Sequence, residues 1–207
     1  MQEYTFTDNK RLTVINLFGA AGTGKSTIMG YTYGKLKERG YNAEMASEWI
    51  KEGGIYEARK NVFLEQDYIL AKQHRKLRRL VGQVDIAVTD CPLMLGLIYK
   101  PDWYPKSFDQ YVIDIFNSYN NINFFLHRNS FEYTERGRVH TEQQSIDKEV
   151  ELQQLLLKHN INYIDIDNIR ECGNVVAAVI AEETINRQTE QKEQQLLANI
   201  EYDTEKF

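Results

Sequence analysis

The sequence is poor in residues that staple, coordinate or anchor a chain. Its two cysteines, Cys91 and Cys172, lie too far apart to form a Cys-x-x-Cys pair, so the expectation is two reduced thiols in a reducing compartment. The four histidines are scattered and give no sign of a protein-bound transition metal. No apolar run is long enough to span a bilayer, and Met1 to Thr5 shows no basic-then-apolar leader pattern. A cytoplasmic protein with no membrane partner is therefore expected. Lysine and arginine (25) are outnumbered by aspartate and glutamate (30), for a net charge of −5. That balance argues against general nucleic-acid binding while leaving room for a local basic patch. Only three prolines occur, at 92, 101 and 105, so Ser26–Glu38 and Glu57–Val81 contain none. The 207 residues suit one domain with a single large core.

Against these absences stands one dense motif. Gly19-Ala20-Ala21-Gly22-Thr23-Gly24-Lys25-Ser26 satisfies G-x-x-x-x-G-K-[ST] at every fixed position. An apolar, β-forming run (Leu12 to Phe18) precedes it, and a helical stretch (Ser26 to Glu38) follows. Strand, glycine loop and helix are the context in which this motif binds phosphate. Loop N–H groups wrap the polyphosphate, and the helix N-terminus adds partial positive charge. Gly19, Gly22, Thr23, Gly24, Lys25, Ser26 and Thr27 are thus the expected ATP-binding residues, with Lys25 on the β- and γ-phosphates and the Ser26 hydroxyl on Mg²⁺.

The pattern continues as alternating strands and helices. Further strands are expected at 42–47, 84–89, 122–126 and 162–166, and residues 57–81 repeat apolar positions at helical spacing. Leu93–Tyr99 reads as a short helix and Ser107–Tyr119 as a longer one. Thr141 opens another helix, and a last one starts near Asn174. Five strands alternating with helices predict an α/β fold, a parallel sheet covered on both faces. The domain is expected over 11–186, after a polar lead-in (1–10). The Gln- and Glu-rich residues 187–207 read as a solvated extension, or as the end of a helix that could support self-association.

Ligands of open parallel sheets gather beyond the carboxyl ends of the strands. There the sequence places the glycine loop, Glu48, Asp90 and Arg128. Asp90 closes a Walker-B-like strand and is a candidate Mg²⁺ ligand or base. The residue after it is Cys91 and not a second acid, which favours transfer to a bound acceptor over hydrolysis. Glu48 is a second candidate base. Arg128, Arg136 and Arg138 occupy one segment (128–140) that reads as a lid over the transferring phosphoryl group. Tyr56, Gln66, Tyr99, Trp103 and Tyr104 are candidates for lining an acceptor pocket. Lys72, His74, Arg75, Lys76, Arg78 and Arg79 form a basic cluster, most simply a solvated helix face.

With the glycine loop, Glu48, Val88-Thr89-Asp90-Cys91-Pro92-Leu93 and Gly137-Arg138 in view, residues 10–185 resemble the small P-loop kinases of the ribosylnicotinamide-kinase-like AAA-type family. That family is common in phages and bacteria and related to nucleoside and nucleoside-monophosphate kinases. The resemblance implies a P-loop NTPase three-layer sandwich with sheet order 2-3-1-4-5 and a lid. It also implies ATP·Mg²⁺ as donor, Glu48 or Asp90 serving the acceptor hydroxyl, and Arg128 and Arg138 clamping phosphates. Gln66 and Gln73 resemble helix glutamines that face the acceptor base. The expected activity is phosphoryl transfer to a nucleoside, nucleotide or related small acceptor. Two alternatives are a hydrolytic ATPase or switch acting on a partner, and a kinase acting on a modified base or terminus in DNA through the basic face.

Overall fold

The computed structural model describes residues 11–56, 60–128, 141–167 and 175–181, together with 173, 189 and 192. Thr13–Phe18 forms strand β1, and all six residues are buried. Such a run suits a central strand covered on both faces. Ala43–Met45 (β2), Ile86–Thr89 (β3), Asn120–Leu126 (β4) and Ile164–Ile166 (β5) complete one sheet of order β2-β3-β1-β4-β5. Every pairing is parallel; β1 holds the middle, with Ile15 opposite Val88 on one side and Ile122 on the other. This is the expected three-layer sandwich.

Side-chain alternation along the strands builds its two cores. Val14 and Phe18 of β1, Ala87 of β3 and Phe125 of β4 point to one face. There they meet helices α2 (Gln66–Arg78), α4 (Lys106–Asn117) and α5 (Glu142–Lys158). Ile15, Leu17, Ile86, Val88, Phe124 and Leu126 point to the other, against helix α1 (Lys25–Glu38) and the helical residues Val175, Val176 and Val179. Asn16 is the polar exception within β1. Buried at 1% exposure, it donates to the Asn121 (2.8 Å) and Asn123 (3.0 Å) side-chain oxygens of β4, as a buried amide must.

Thr141 caps α5 through a reciprocal capping box with Gln144. Leu93–Leu95 forms a 3₁₀ turn that runs into the short helix α3 (Gly96–Tyr99). One expectation needs correcting. The helical spacing over 57–81 is not one helix: Lys60–Leu64 is a separate 3₁₀ turn, and α2 begins only at Gln66. The break lies at Glu65 (φ −101°, ψ 66°), and Gln66 Nε2 donates back to the Phe63 carbonyl at 2.8 Å. Bending there lets Val62 pack against Ile50 and Ile69 in a small separate cluster, which a continuous helix axis would carry away. Ahead of that turn, Lys51–Tyr56 forms a π-helical turn.

Candidate active site

The site is built where β1, β2, β3 and β4 release the chain at the same sheet edge. Gly19, Gly22 and Gly24 take φ of 142°, 91° and 91°, backbone that L side chains resist. A Cβ on Gly19 would also lie 2.7 Å from the Leu126 carbonyl oxygen and 2.8 Å from Thr23 Oγ1. The buried Thr23 hydroxyl donates to the Ala20 carbonyl (3.1 Å). Helix α1 starts at Gly24 with no side-chain cap and no acid in its first turn, which suits an anion at its N–H groups. Lys25 lies over its own loop, its Nζ donating to the carbonyls of Gly19 (2.8 Å) and Ala20 (2.7 Å).

Asp90 joins three of the strand ends. Only 4% exposed, it accepts the Ser26 hydroxyl on Oδ2 at 2.5 Å and the Glu48 backbone N–H on Oδ1 at 2.9 Å. A second buried network fixes the chain around Glu48. Gln73 Oε1 accepts Trp49 N–H at 3.0 Å, while its Nε2 donates to the Ala46 carbonyl (3.2 Å) and Thr89 Oγ1 (3.3 Å). Thr89 Oγ1 donates in turn to Ala46 (2.8 Å) and accepts from Cys91 N–H (3.1 Å). Lys76 holds Ser47 through its carbonyl (3.0 Å) and hydroxyl (3.1 Å).

The Glu48 carboxylate, by contrast, makes no hydrogen bond with a described residue. Burial raises its pKa; the Lys25 charge opposes this, Asp90 adds to it, and Lys51 and Lys76 oppose. The Cys91 thiol beside it is pushed well above its ordinary value, chiefly by burial and then by the Glu48 and Asp90 charges.

These groups face a cavity of about 350 Å³. Glycine-loop residues, Lys25, Ser26 and Thr27 line one end. Glu48, Ile50, Phe63, Gln66, Leu70 and Tyr99 line the other, with Asp90 and Cys91 between. Two hard oxygen donors in contact, Ser26 and Asp90, suit Mg²⁺. The glycine cradle, which a Cβ would fill, suits a polyphosphate.

Of the sequence-nominated residues, Gly19, Gly22, Gly24, Lys25, Ser26, Thr27, Glu48, Gln66, Gln73, Asp90 and Tyr99 line this cavity, whereas Thr23 is buried with its hydroxyl on the Ala20 carbonyl and does not. Gln73 lines it with its amide already engaged at both ends by the network above. Gln66 is buried and has only its Nε2 engaged, which leaves Oε1 for a ligand. Arg128 does not line the cavity: it stands in a neighbouring depression, where Nη2 donates to the Ala21 carbonyl (2.7 Å) and to Ser145 Oγ. Tyr56 and Trp103 are 68% and 70% exposed and do not line it either. Nor does Tyr104, whose hydroxyl is tied to Asp67 (2.7 Å). Arg136 and Arg138, the rest of the expected lid, Cys172 and residues 187–207 apart from 189 and 192 lie outside the described residues. Sequence reasoning missed Ser145, which donates to Ala21 at 2.8 Å from α5, and the apolar wall of Ile50, Phe63 and Leu70. The wall was readable only as ordinary core pattern.

No protein-family model and no curated protein matches the sequence. Solved structures do match in fold. A NadR protein in complex with NR is 18% identical, with a TM-score of 0.59 over 76% of this chain and 46% of that one. NadR in complex with NAD and AMP-PNP is 15% identical, with a TM-score of 0.56 over 76% and 44%. The chain thus spans about half the length of those NadR chains. Thymidylate kinase from Ehrlichia chaffeensis is 16% identical, with a TM-score of 0.55 over 82% of this chain and 99% of that one. No helix among the described residues is long and apolar enough to cross a membrane. The parallel order β2-β3-β1-β4-β5, with a glycine loop after the central strand, gives this chain the fold of the P-loop kinases.

Proposed function

We propose that this protein is an ATP-dependent kinase that phosphorylates a hydroxyl group of a nucleoside-like acceptor, with Glu48 as general base. The observation that carries the reading is the contrast between two carboxylates on one cavity wall. Asp90 is engaged at both oxygens, whereas Glu48 has no hydrogen-bond partner among the described residues and a pKa raised by burial. A base needs a free oxygen and a pKa moved toward the working pH, and Glu48 has both.

The chain's groups divide the work as follows. The glycine loop and the N-terminus of α1 bind and orient the triphosphate, and Lys25 turns from the loop carbonyls to the β- and γ-phosphates. Ser26 and Asp90 are the residues that would hold Mg²⁺, which would neutralise charge on the polyphosphate. The apolar wall and Gln66 hold a flat ring, with Gln66 Oε1 accepting from a ring N–H or amino group. Glu48 takes the proton of the acceptor hydroxyl as its oxygen bonds to the γ-phosphorus and the bond to the β-phosphate oxygen breaks, releasing ADP. A hydroxyl acceptor suits a wall on which the Glu48 carboxylate stands beside apolar groups with no hydrogen-bond partner among the described residues.

The solved relatives, NadR with NR and thymidylate kinase, define the acceptor panel. Purified protein with ATP·Mg²⁺ and a set of nucleosides, nicotinamide riboside and nucleotides is read by product mass. The expected result is a gain of one phosphoryl group on at least one nucleoside-like acceptor and none with Lys25→Ala. Turnover of ATP at the same rate with and without every acceptor would refute the reading.

A further inference from the structure

One face of α2 is strongly basic. In a chain of net charge −5, the solvent side of this helix carries Lys72, Arg75, Arg78 and Arg79. The sole acid of α2 is Asp67, bound to the Tyr104 hydroxyl on another flank. Lys76 is committed to Ser47 and Glu52. Arg75, Arg78 and Arg79 are exposed and form no ion pair or side-chain hydrogen bond with a described residue. Residues 68, 72, 75 and 79 share one stripe by their spacing.

At the end of that stripe stands an aromatic pair. Trp49 and Tyr68 meet edge to face with centroids 5.2 Å apart, and Lys72 Nζ lies 5.0 Å from the Tyr68 ring centre and 5.9 Å from that of Trp49. Trp49 lies between Glu48 and Ile50 in sequence, and Tyr68 is followed by Ile69 and Leu70; all four of these neighbours line the cavity. The aromatic end of the stripe is therefore the end beside the acceptor wall.

We propose that this stripe docks a single-stranded polynucleotide and leads one of its nucleotides into the cavity as the phosphoryl acceptor. The proposal rests on the kinase reading above and extends it to the substrate class. Unpaired arginines bind phosphodiesters and stack on bases, and aromatic rings beside them accept base faces regardless of sequence. From 68 to 79 the helix covers ~16 Å at ~1.5 Å per residue, which matches about five nucleotides at a stacked spacing of ~3.4 Å. An acidic peptide would use the arginines but leave the rings without a role.

Fluorescence anisotropy with labelled oligothymidylate and oligouridylate of about 16 nucleotides tests the docking, the two strands separating DNA from RNA as the source. Wild-type protein is expected to bind, with a log–log salt slope of about −2 for three phosphate contacts at ~0.7 each. Arg75→Ala/Arg79→Ala, with unchanged circular dichroism, should lose on the order of tenfold or more in affinity and flatten the slope to about −0.7. Tyr68→Ala should also lose on the order of tenfold while keeping the wild-type slope, a result that charge capture alone does not produce. Absence of strand binding at low salt, wild-type binding by the double variant, or equal competition by polyglutamate of matched charge would each overturn the proposal. Transfer to free nucleosides without strand binding also overturns it and leaves the kinase reading standing. Strand binding with no ATP-dependent transfer to any acceptor sinks the kinase reading, and with it the role of the strand as substrate.

Discussion

Glu48→Gln keeps the shape of the acceptor wall and removes a single proton-accepting group. Because the Glu48 side chain makes no hydrogen bond with a described residue, the substitution breaks no hydrogen bond among the described residues. Loss of a positioned general base costs about 10²- to 10⁴-fold in rate, or ~3–5 kcal/mol of barrier at ~1.4 kcal/mol per tenfold. The fall should appear in kcat, with KM for ATP unchanged, since Glu48 lies at the acceptor end of the cavity. In the wild type kcat should rise with pH through the Glu48 pKa, which burial holds above the ordinary 4.5; the variant should be flat over that limb. The same shift sets the sign of the stability effect. A carboxyl whose folded pKa is raised binds its proton more tightly when folded, so the stability it contributes is full below the unfolded value and lost as pH rises through the folded one. Raising the pH from below 4.5 to neutral therefore costs the wild type stability that Glu48→Gln, with no such proton to lose, keeps, and the variant should show the higher Tm at neutral pH. The gap should close on acidification towards pH 4.5. Initial rates and thermal unfolding across pH read both effects. A variant within about tenfold of wild type in kcat, or less stable at neutral pH, would refute the assignment.

Three further outcomes follow from contacts around the cavity. Ser145→Ala removes one of the donors that hold the Ala21 carbonyl at the crest of the glycine loop. A buried hydrogen bond worth ~1 kcal/mol predicts about a fivefold rise in KM for ATP with kcat little changed, read by ATP saturation. Gly53→Ala places a Cβ against the Trp49 ring, 2.7 Å from its Cε2. Overpacking of this kind costs about 1–3 kcal/mol, measurable as a lower urea midpoint and a changed tryptophan emission. Cys91, whose thiol burial pushes well above 9.0, should stay unalkylated by iodoacetamide at mildly alkaline pH in the native protein and react on unfolding. Peptide mapping at Cys91 decides it.

The sheet was legible in the sequence because β1, β3 and the end of β4 are short apolar runs, and the weaker β2 and β5 fall into the same alternation with helices. The glycine loop was legible because few sequences satisfy its fixed positions by chance. Partner choice is less local. Arg128 sits at a strand end, which suggested a phosphate clamp, but Ala21 and Ser145 converge on its guanidinium from residues far away in sequence. Gln73 has the spacing of a ligand-facing helix glutamine, yet its amide ties Trp49, Ala46 and Thr89 together. The break before Gln66 escaped the periodicity because Val62, Phe63, Ile69 and Leu70 keep helical spacing across it. Only the competing contact of Val62 with Ile50 and Ile69 reveals that the axis turns.

Cys91 bears on the choice between transfer and hydrolysis. A second acid after Asp90 would place another proton acceptor beside the phosphates, able to activate water. The position instead carries a buried thiol that burial and two neighbouring negative charges hold in its neutral form. A neutral thiol does not draw a proton from water at physiological pH. With Asp90 engaged at both oxygens, the proposed mechanism assigns proton acceptance to Glu48, which stands on the wall shared with Ile50, Phe63 and Gln66. A ligand filling that wall would displace the water that Glu48 could otherwise activate, so the base works when an acceptor hydroxyl occupies the same space. Under the proposed kinase activity, this arrangement would couple phosphoryl transfer to acceptor occupancy.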